Sequence, residues 1–393
     1  MPDDFLLLTP GPVPLQPPVT DAMTEPMVSH RSASFAETVA TLTADLEWIF
    51  THSTLDGYDT TPPDGGTALV LNGTATLGME AAVSNLVGPG DRVVALVNGK
   101  FGERFARIAE RYAAVERVAV PWGAAFDMET VAAAITPATD LVTMVHNETS
   151  TGILNPASGV GRLAAEADAR FVLDGVTSIG GDVVCIDDWH VDIAITDAQK
   201  ALGAPPGISA VYVTDAVTDA LDGARGPFYA DLPRHLQKAA AAQSPFTSAV
   251  PLYRAFAAAT AAIREEGMAA RIHRHRRQAA ALRAGLEAMG LQLFADVRDV
   301  TVYSNTVTAA RLPPSLRGDS SAAFFDAVAA ADVAIAGGQA HLGGEIFRIS
   351  NMGDHPPAAI ERGLAAVADA LTTAGVEADA DTAVTAARAV LRP

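Results

Sequence analysis

Between residues 68 and 213, short apolar runs rich in β-branched residues alternate with segments in which apolar residues recur at helical spacing. The run at 92–97, for example, is followed by a helix-period segment over 101–112. This alternation is typical of a parallel sheet wrapped by helices, because parallel strands are joined by helical crossovers. The further strand candidates are continuously apolar, as strands buried on both faces are, and lie at residues 118–120, 141–146, 171–174, 193–196 and 208–213.

The pattern changes after Pro251, where long Ala-rich stretches with helical spacing extend into a segment dense in Arg and His. Beyond it, strands are predicted near 300–307 and 346–349, and helices near 321–331 and 358–373. A chain of 393 residues also exceeds the size at which a single core stops growing. We therefore predict an α/β protein in two parts: an N-terminal arm and large domain with a mainly parallel sheet (1–260), and a smaller α+β domain (261–393).

The composition allows a large core, because 49% of the residues are hydrophobic and 19% are charged. The apolar runs are shorter than the roughly 20 residues that a membrane-spanning helix needs, and the acidic N-terminus lacks the basic start of a signal peptide. A single cysteine, Cys185, allows neither a disulfide framework nor a cysteine-based metal cluster. We therefore expect a cytoplasmic globular protein without a metal site.

The formal net charge of −19 argues against nucleic acid or anionic membranes as partners, because their phosphates attract clustered Lys and Arg. The scarcity of Lys beside abundant Arg and Asp is consistent with a cytoplasm of high salt and equally with a GC-rich genome. Arg carries almost all of the positive charge, and the lysines are limited to Lys100, Lys200 and Lys238. Chemistry that needs a lysine amine therefore has only these candidates.

Lys200 lies in a Gly- and Pro-rich turn, residues 197–207, directly after a predicted strand. A solvated loop lysine is the ordinary alternative, because lysines are seldom buried. Upstream, the strand at 171–174 ends in Asp174, and in open α/β sheets ligands bind beyond the carboxyl ends of the strands. A carboxylate there suits a cofactor pyridine, whose ring nitrogen it would keep protonated. A turn or helix-cap role is the alternative for Asp174.

The segment 71–80 runs from a strand through a turn of small residues into a helix. Backbone N–H groups and hydroxyls at a helix N-terminus form an anion site that suits a phosphate. A Thr followed by Glu in the first turns is also a common helix start, so this motif is weak alone. Its place at the first strand of the predicted sheet strengthens the prediction.

Several short motifs occur in the order and spacing of one known family. They are residues 8–14 (LTPGPVP), 29–32 (SHRS), 73–80 (GTATLGME), 146–152 (HNETSTG), the strand end at Asp174, the Gln199–Lys200 turn and residues 347–350 (FRIS). In these motifs the chain resembles the class V aminotransferases among the fold-type I pyridoxal-phosphate (PLP) enzymes. It is most similar to the alanine–glyoxylate, serine–pyruvate and 2-aminoethylphosphonate transaminase group. The resemblance covers almost the whole chain and implies a homodimer with shared active sites.

The resemblance also implies roles for single residues. Lys200 would form the Schiff base with PLP and then act as the catalytic base, and Asp174 would pair with the ring nitrogen. The cofactor phosphate would be held by Thr74, Ala75, Thr76 and Gln199, with Thr247 reaching across to the phosphate of the second subunit.

The same resemblance places residues around the cofactor ring and the substrate. Phe101 would stack on the ring, although a core residue at a helix start is the alternative, and Val176 would close the other face. Arg348 would bind the substrate α-carboxylate through two parallel hydrogen bonds, with a buried structural ion pair as the alternative. Thr149 would lie near both the carboxylate and the cofactor, and Gly11 near the substrate.

The substrates follow from this assignment. A single Arg348 favours a monocarboxylic donor such as alanine or serine, with glyoxylate or pyruvate as the acceptor. 2-Aminoethylphosphonate and aspartate are the alternatives, with Arg31 as a possible second cation.

The same fold also serves activities other than transamination. A cysteine desulfurase needs a cysteine on a mobile loop, whereas Cys185 is predicted in an apolar strand. A non-enzymatic protein of this fold would be expected to lack Lys200 or Asp174. The Arg- and His-dense segment 271–277 is too basic for a metal and is predicted to be a solvated helix face.

Overall fold

The computed structural model describes residues 5–392 except 57, 59–64, 219, 222–225 and 299. Its strands are β1 (Leu6–Leu7), β2 (Gly66–Leu71), β3 (Arg92–Val97), β4 (Ala114–Ala119), β5 (Leu141–Val145), β6 (Asn147–Glu148), β7 (Ile153–Leu154), β8 (Arg170–Asp174), β9 (Ile193–Asp197), β10 (Ser209–Thr214), β11 (Val302–Tyr303), β12 (Val307–Arg311), β13 (Val333–Ala334), β14 (Ala336–Gly337) and β15 (Ile346–Ser350). Its α-helices are α1 (Pro17–Thr24), α2 (Ala33–His52), α3 (Ala75–Leu86), α4 (Lys100–Ala109), α5 (Met128–Ala134), α6 (Ala157–Glu166), α7 (Asp215–Thr218), α8 (Leu232–Ala239), α9 (Val250–Glu266), α10 (Met268–Ala288), α11 (Ser321–Ala330), α12 (Pro357–Thr373) and α13 (Ala380–Leu391).

The central sheet has seven strands in the order β2-β10-β9-β8-β5-β3-β4. The strands from β9 to β4 run parallel, and β10 is antiparallel to both of its neighbours. Strands β5, β9 and β10 are buried along their whole length, which agrees with their continuously apolar sequence. The predicted α/β fold with a mainly parallel sheet is confirmed.

Apolar clusters pack helices against both faces of this sheet. On one face, Phe50 of α2 stacks on Tyr212 of β10 with the ring centroids 5.3 Å apart. On the other face, Met79 of α3 and Phe105 of α4 are buried against the strands. The helices thereby fix the positions of the strand ends, where the site described below lies.

A second sheet, of order β12-β15-β14, is antiparallel and packs with α10 to α13 around its own apolar cluster. The N-terminal strand β1 pairs in parallel with β13, Leu6 opposite Val333. The N-terminal arm therefore crosses to the C-terminal part of the chain before it reaches the central sheet.

The strand predicted near 300–307 is in fact interrupted, with β11 ending at Tyr303 and β12 starting at Val307. The Ser304 hydroxyl accepts hydrogen bonds from the N–H groups of Thr306 and Val307, both at 3.1 Å. A side-chain bond of this kind replaces ladder bonds and turns the backbone.

The Arg- and His-dense segment of α10 is partly buried, so the prediction of a solvated face is wrong for Arg271 and His275, which are 4% and 0% exposed. The Arg271 guanidinium donates to the carbonyl oxygens of Gly180 at 2.8 Å and Ala201 at 2.6 Å, and it pairs with Glu266. These bonds satisfy its N–H groups without water, which is why a charged side chain is stable inside the protein.

Cys185 is buried, as predicted, but it lies in the loop between β8 and β9 and not in a strand. Burial raises the pKa of its thiol to about 11, so the nucleophilic thiolate is scarce at neutral pH. Within the described part of the chain, no helix combines the length and the apolar character of a transmembrane span.

Candidate active site

A cavity opens at the carboxyl ends of β5, β8 and β9, three adjacent parallel strands of the central sheet. Side chains beyond such strand ends converge because the strands run the same way. The residues that line it are Thr74, Ala75, Thr76, Met79, Phe101, Arg104, Val145, Asn147, Thr149, Asp174, Val176, Thr177, Asp197, Gln199 and Lys200. Most of the residues predicted for the site are therefore brought together around one cavity.

Lys200 lies in the turn after β9, and its Nζ donates a hydrogen bond to the carbonyl oxygen of Pro10. The next residue of the arm, Gly11, has φ +87°, and a Cβ there would lie 2.7 Å from Lys200 Cδ. Only glycine therefore allows the arm to approach the lysine this closely. Burial lowers the pKa of Lys200 to about 8, partly opposed by the Asp197 carboxylate. Roughly a tenth of the amine is thus uncharged and nucleophilic at pH 7, far more than for an ordinary lysine.

Asp174 ends β8 with its side chain in the cavity and only 3% of its surface exposed. Its Oδ1 accepts a hydrogen bond of 2.9 Å from the Val176 N–H, and it forms no ion pair with any residue that the structure describes. Burial raises the pKa of Asp174 to about 7. A buried carboxylate without a cation is costly, and a protonated pyridine nitrogen would supply that cation.

The start of α3 forms the floor of the cavity at Thr74, Ala75 and Thr76. Thr74 is the N-cap residue, but its side chain makes no capping hydrogen bond. Thr76 Oγ1 accepts a hydrogen bond of 3.1 Å from Nη1 of Arg104, which brings a cation to the helix start. With the amide of Gln199 also in the lining, the donor set and the helix dipole suit a phosphate.

Phe101 lines the cavity from the first turn of α4, and the buried carboxylate of Glu148 holds that turn. Glu148 Oε2 accepts from the N–H groups of Phe101 at 2.9 Å and Gly102 at 3.0 Å, while Oε1 accepts from the Ser150 hydroxyl at 2.6 Å. A Cβ at Gly99 would overlap the Glu148 side chain, so the N-cap glycine leaves room for the carboxylate. Glu148 therefore does what an N-cap side chain usually does.

Arg348, in the middle of β15, is 5% exposed and does not itself line the cavity. Its Nε and Nη2 donate to the Gly337 carbonyl at 3.0 and 2.7 Å, and its Nη1 donates to the Thr149 carbonyl at 3.1 Å. Among the described residues no carboxylate lies within ion-pair distance of it. The structural ion pair considered above is thus absent there, and Arg348 is held next to Thr149, which lines the cavity.

The three neighbouring hydroxyl residues of the 146–152 motif separate clearly. Thr149 faces the cavity, whereas the hydroxyls of Ser150 and Thr151 donate to the side chain and the carbonyl of Glu148. Of the three, Thr149 is therefore the residue placed to meet a ligand in the cavity.

Two of the predicted site residues, Thr247 and Arg31, do not line the cavity. Thr247 is exposed outside the cavity lining, and its carbonyl accepts a hydrogen bond of 3.1 Å from Asn72 Nδ2. Arg31 is also outside the lining and donates from Nη1 to Gln243 Oε1 and to the Ser244 carbonyl, both at 2.9 Å. The suggestion that Arg31 is a second cation in the site is therefore not supported by its position.

The sequence reasoning missed Arg104 and Asp197. Arg104 follows Phe101 by three residues, which places both on one helix face, and its guanidinium lies 4.9 Å from the centroid of that ring. Asp197 ends a buried strand as Asp174 does, and this was the signal that could have identified it. Both residues line the cavity.

Comparison with known proteins agrees with this geometry. The family described as "Aminotransferase class-V" matches residues 64–315. An uncharacterized aminotransferase of Methanocaldococcus jannaschii is 36% identical over 354 residues, which cover 88% of each chain. The crystal structure of ureidoglycine–glyoxylate aminotransferase from Bacillus subtilis matches with a TM-score of 0.88 and 31% identity, covering 98% of this chain and 97% of that one.

The crystal structure of pyridoxamine–pyruvate aminotransferase from Mesorhizobium loti also matches with a TM-score of 0.88, at 27% identity, covering 98% of this chain and 96% of that one. A cysteine desulfurase from Thermococcus onnurineus is 15% identical with a TM-score of 0.70, a likeness of fold alone. The chain therefore belongs to the class V aminotransferases, a PLP-dependent family with the fold-type I architecture.

Proposed function

We propose that this PLP-dependent aminotransferase moves the amino group of a small amino acid, alanine or serine, to glyoxylate or pyruvate. Relatives named for glyoxylate as acceptor include a serine–glyoxylate aminotransferase of Arabidopsis thaliana, 29% identical over 357 residues. The observation that carries the proposal is Arg348, a buried guanidinium beside the cavity without a carboxylate partner among the described residues. A substrate α-carboxylate would supply that partner.

The chain's residues divide the chemistry among them. When bound, PLP supplies an aldehyde carbon that takes up the amino group and a pyridine ring that draws electron density from the substrate's α-carbon. Lys200 would hold the cofactor covalently, and its Nζ, once released, would take the proton from that α-carbon. Asp174 would keep the ring nitrogen protonated, and Phe101 and Val176 would cover the ring faces.

Thr74, Ala75, Thr76 and Gln199 would hold the phosphate at the start of α3. The presence of Arg104 supports this assignment, because its guanidinium is bonded to Thr76 and adds positive charge where the phosphate would lie.

Aspartate is the second candidate donor, because Arg104 could instead meet a second carboxylate in the cavity. An L-aspartate–glyoxylate aminotransferase of Paracoccus denitrificans is 29% identical over 391 residues. The hydrogen bond from Arg104 to Thr76 favours the phosphate as its partner, so the monocarboxylic donors remain the first choice.

The active form would be a homodimer in which Thr247 reaches the phosphate of the second subunit. In support, Thr247 is exposed, and Tyr229, 42% exposed, stacks on Phe246 at 4.8 Å near Phe228, which is 68% exposed. Aromatic surfaces of this kind are enriched at protein interfaces. We also propose that the chain divides into two domains between residues 260 and 261 and that the protein is cytoplasmic.

The test is a panel of donors, each mixed with the holoenzyme in the absence of an acceptor. Alanine or serine should abolish the visible cofactor band faster than aspartate or 2-aminoethylphosphonate at equal concentration. If aspartate were the fastest donor and Arg104→Gln removed only that reaction, the second candidate would replace the first.

A further inference from the structure

The Asp197 carboxylate accepts hydrogen bonds from groups that a cofactor phosphate would also need. It ends β9, lines the cavity and is 3% exposed. Its Oδ2 accepts a hydrogen bond of 3.2 Å from the Ala75 N–H at the start of α3 and one of 3.4 Å from Gln199 Nε2. Two of the groups assigned to the phosphate therefore donate to a carboxylate of this chain.

The other oxygen of the same carboxylate is unused. Oδ1 of Asp197 is buried and has no hydrogen-bond partner among the described residues. Buried polar atoms are nearly always paired, so an orphaned oxygen in a ligand cavity indicates a missing partner.

A phosphate next to an ionised Asp197 would be electrostatically unfavourable. A phosphate monoester has a second pKa near 6, so it carries about two negative charges above pH 7. Two anions in one buried site repel each other strongly, and a shared site of this kind is stabilised when one of them takes up a proton. A proton on Oδ1 would remove the repulsion and give the orphaned atom a hydrogen bond to donate.

Without a phosphate, Oδ2 of Asp197 accepts two hydrogen bonds, which favours the ionised carboxylate, whereas a bound phosphate adds negative charge that favours the protonated acid. Burial raises the pKa of Asp197, and hydrogen bonds from Ala75 and Gln199 together with the Lys200 ammonium oppose that rise. Asp174, across the cavity, adds negative charge, and Arg104, at the start of α3, adds positive charge. An arriving phosphate adds further negative charge to this set.

We propose that Asp197 is a ligand of the cofactor phosphate and takes up one proton from solvent when the phosphate binds. The neutral acid donates from Oδ1 to a phosphate oxygen, while Oδ2 keeps the hydrogen bond from the Ala75 N–H, so Ala75 acts on the phosphate through Asp197. The proposal rests on the proposed function for the position of the phosphate at the start of α3.

The experiment compares PLP with pyridoxal, which has the same ring and aldehyde but no phosphate. Cofactor-free protein is titrated with each ligand between pH 7 and pH 9, and binding is followed by the visible absorption band, without any turnover. Because both ligands attach through the same aldehyde, the dissociation constant of pyridoxal divided by that of PLP isolates the contribution of the phosphate.

In the unaltered protein this ratio should fall as the pH rises, by up to about tenfold per pH unit, since binding of the phosphate is coupled to one proton. In Asp197→Asn the ratio should stay level, because the amide donates one hydrogen bond and accepts the other without a proton. At pH 9 the variant should therefore favour PLP over pyridoxal by about tenfold or more beyond the unaltered protein.

Asp192→Asn is the matched control. Asp192 is the residue just before β9, the strand that Asp197 ends. It is largely buried and accepts a hydrogen bond of 2.7 Å from the Phe171 N–H. Its variant should keep the falling profile of the unaltered protein.

Parallel profiles in Asp197→Asn and the unaltered protein, or a profile without slope in both, would overturn the proposal. Failure of PLP to attach to Lys200 at all, seen as no visible band and no label after borohydride reduction, would overturn the proposed function and this inference with it. Attachment with parallel profiles would overturn the inference alone.

Discussion

The Glu148 carboxylate accepts a hydrogen bond of 2.9 Å from the backbone N–H of Phe101. A buried anion thus holds the first turn of the helix that carries the aromatic ring, so the ring's position depends on a residue outside the cavity lining. The carboxylate takes four N–H and O–H donors from Phe101, Gly102 and Ser150.

Glu148→Gln should lower the free energy of unfolding. The amide NH2 group cannot accept the hydrogen bonds that one carboxylate oxygen accepts in the unaltered protein. Leaving such buried groups unsatisfied costs about 1–3 kcal/mol. Thermal unfolding measures the loss, and Glu80→Gln, which alters a single side-chain bond to Tyr112, is the control. Equal melting temperatures for both variants would contradict this role for Glu148.

Lys200 should be the only lysine that binds PLP covalently. Borohydride reduction of the yellow holoenzyme should fix the cofactor on the peptide containing Lys200, as measured by peptide mass spectrometry. Lys200→Ala should abolish turnover and still bind PLP weakly through the phosphate and ring contacts. A label on Lys100 or Lys238 would show the assignment to be wrong.

In the cofactor-free protein, the Lys200 amine should become reactive in a lower pH range than an ordinary lysine. Its pKa of about 8, against an ordinary value of 10.5, means that the amine is protonated and unreactive below pH 8 and increasingly free above it. Brief acetylation at a series of pH values, quantified on the Lys200 peptide, should give a half-point near pH 8. A half-point near pH 10.5 would mean that burial does not act on this amine.

Asp174→Asn should leave the fold intact and reduce the rate by about 10²-fold or more, because an amide does not stabilise a protonated ring nitrogen in a buried site. The rate of the half-reaction with alanine is the measurement, and circular dichroism checks the fold. Turnover within a few fold of the unaltered enzyme would reduce Asp174 to a turn residue that bonds to Val176.

Arg348→Ala should raise KM for the amino donor and for the keto acid together, because one guanidinium would bind the carboxylate in both half-reactions. Loss of one member of a buried charge pair costs roughly 3–5 kcal/mol, or about 10²-fold to several thousandfold in affinity. Arg348→Lys should recover only part of it, since an ammonium lacks the planar fork.

The affinity for PLP should change little in these Arg348 variants. Arg311→Ala, on the adjacent strand β12, is the control. An unchanged KM for both substrates would assign Arg348 a purely structural role in bonding to Gly337 and Thr149.

The sequence predicted the sheet because buried parallel strands are continuously apolar, and it predicted Asp174 because a carboxylate ends such a strand. Asp197 ends β9 in the same way, but it lies in the same Gly- and Pro-rich segment as Lys200, and the lysine is the more prominent feature of that segment. The partners of Arg348 could not be predicted. Gly337 lies 11 residues away and Thr149 lies 199 residues away, and only the folded backbone brings their carbonyls to one guanidinium.

The N-terminal arm links two distant parts of the molecule through a few residues. Leu6 and Leu7 form a strand with β13, and only a few residues further on Pro10 and Gly11 lie against the Lys200 amine. Removal of the residues before Gly11, or a protease cut in this arm, would expose Lys200 to water although the residues lining the cavity stay in place. We therefore expect loss of the arm to move the pKa of Lys200 back toward its ordinary value, because burial is what lowers it.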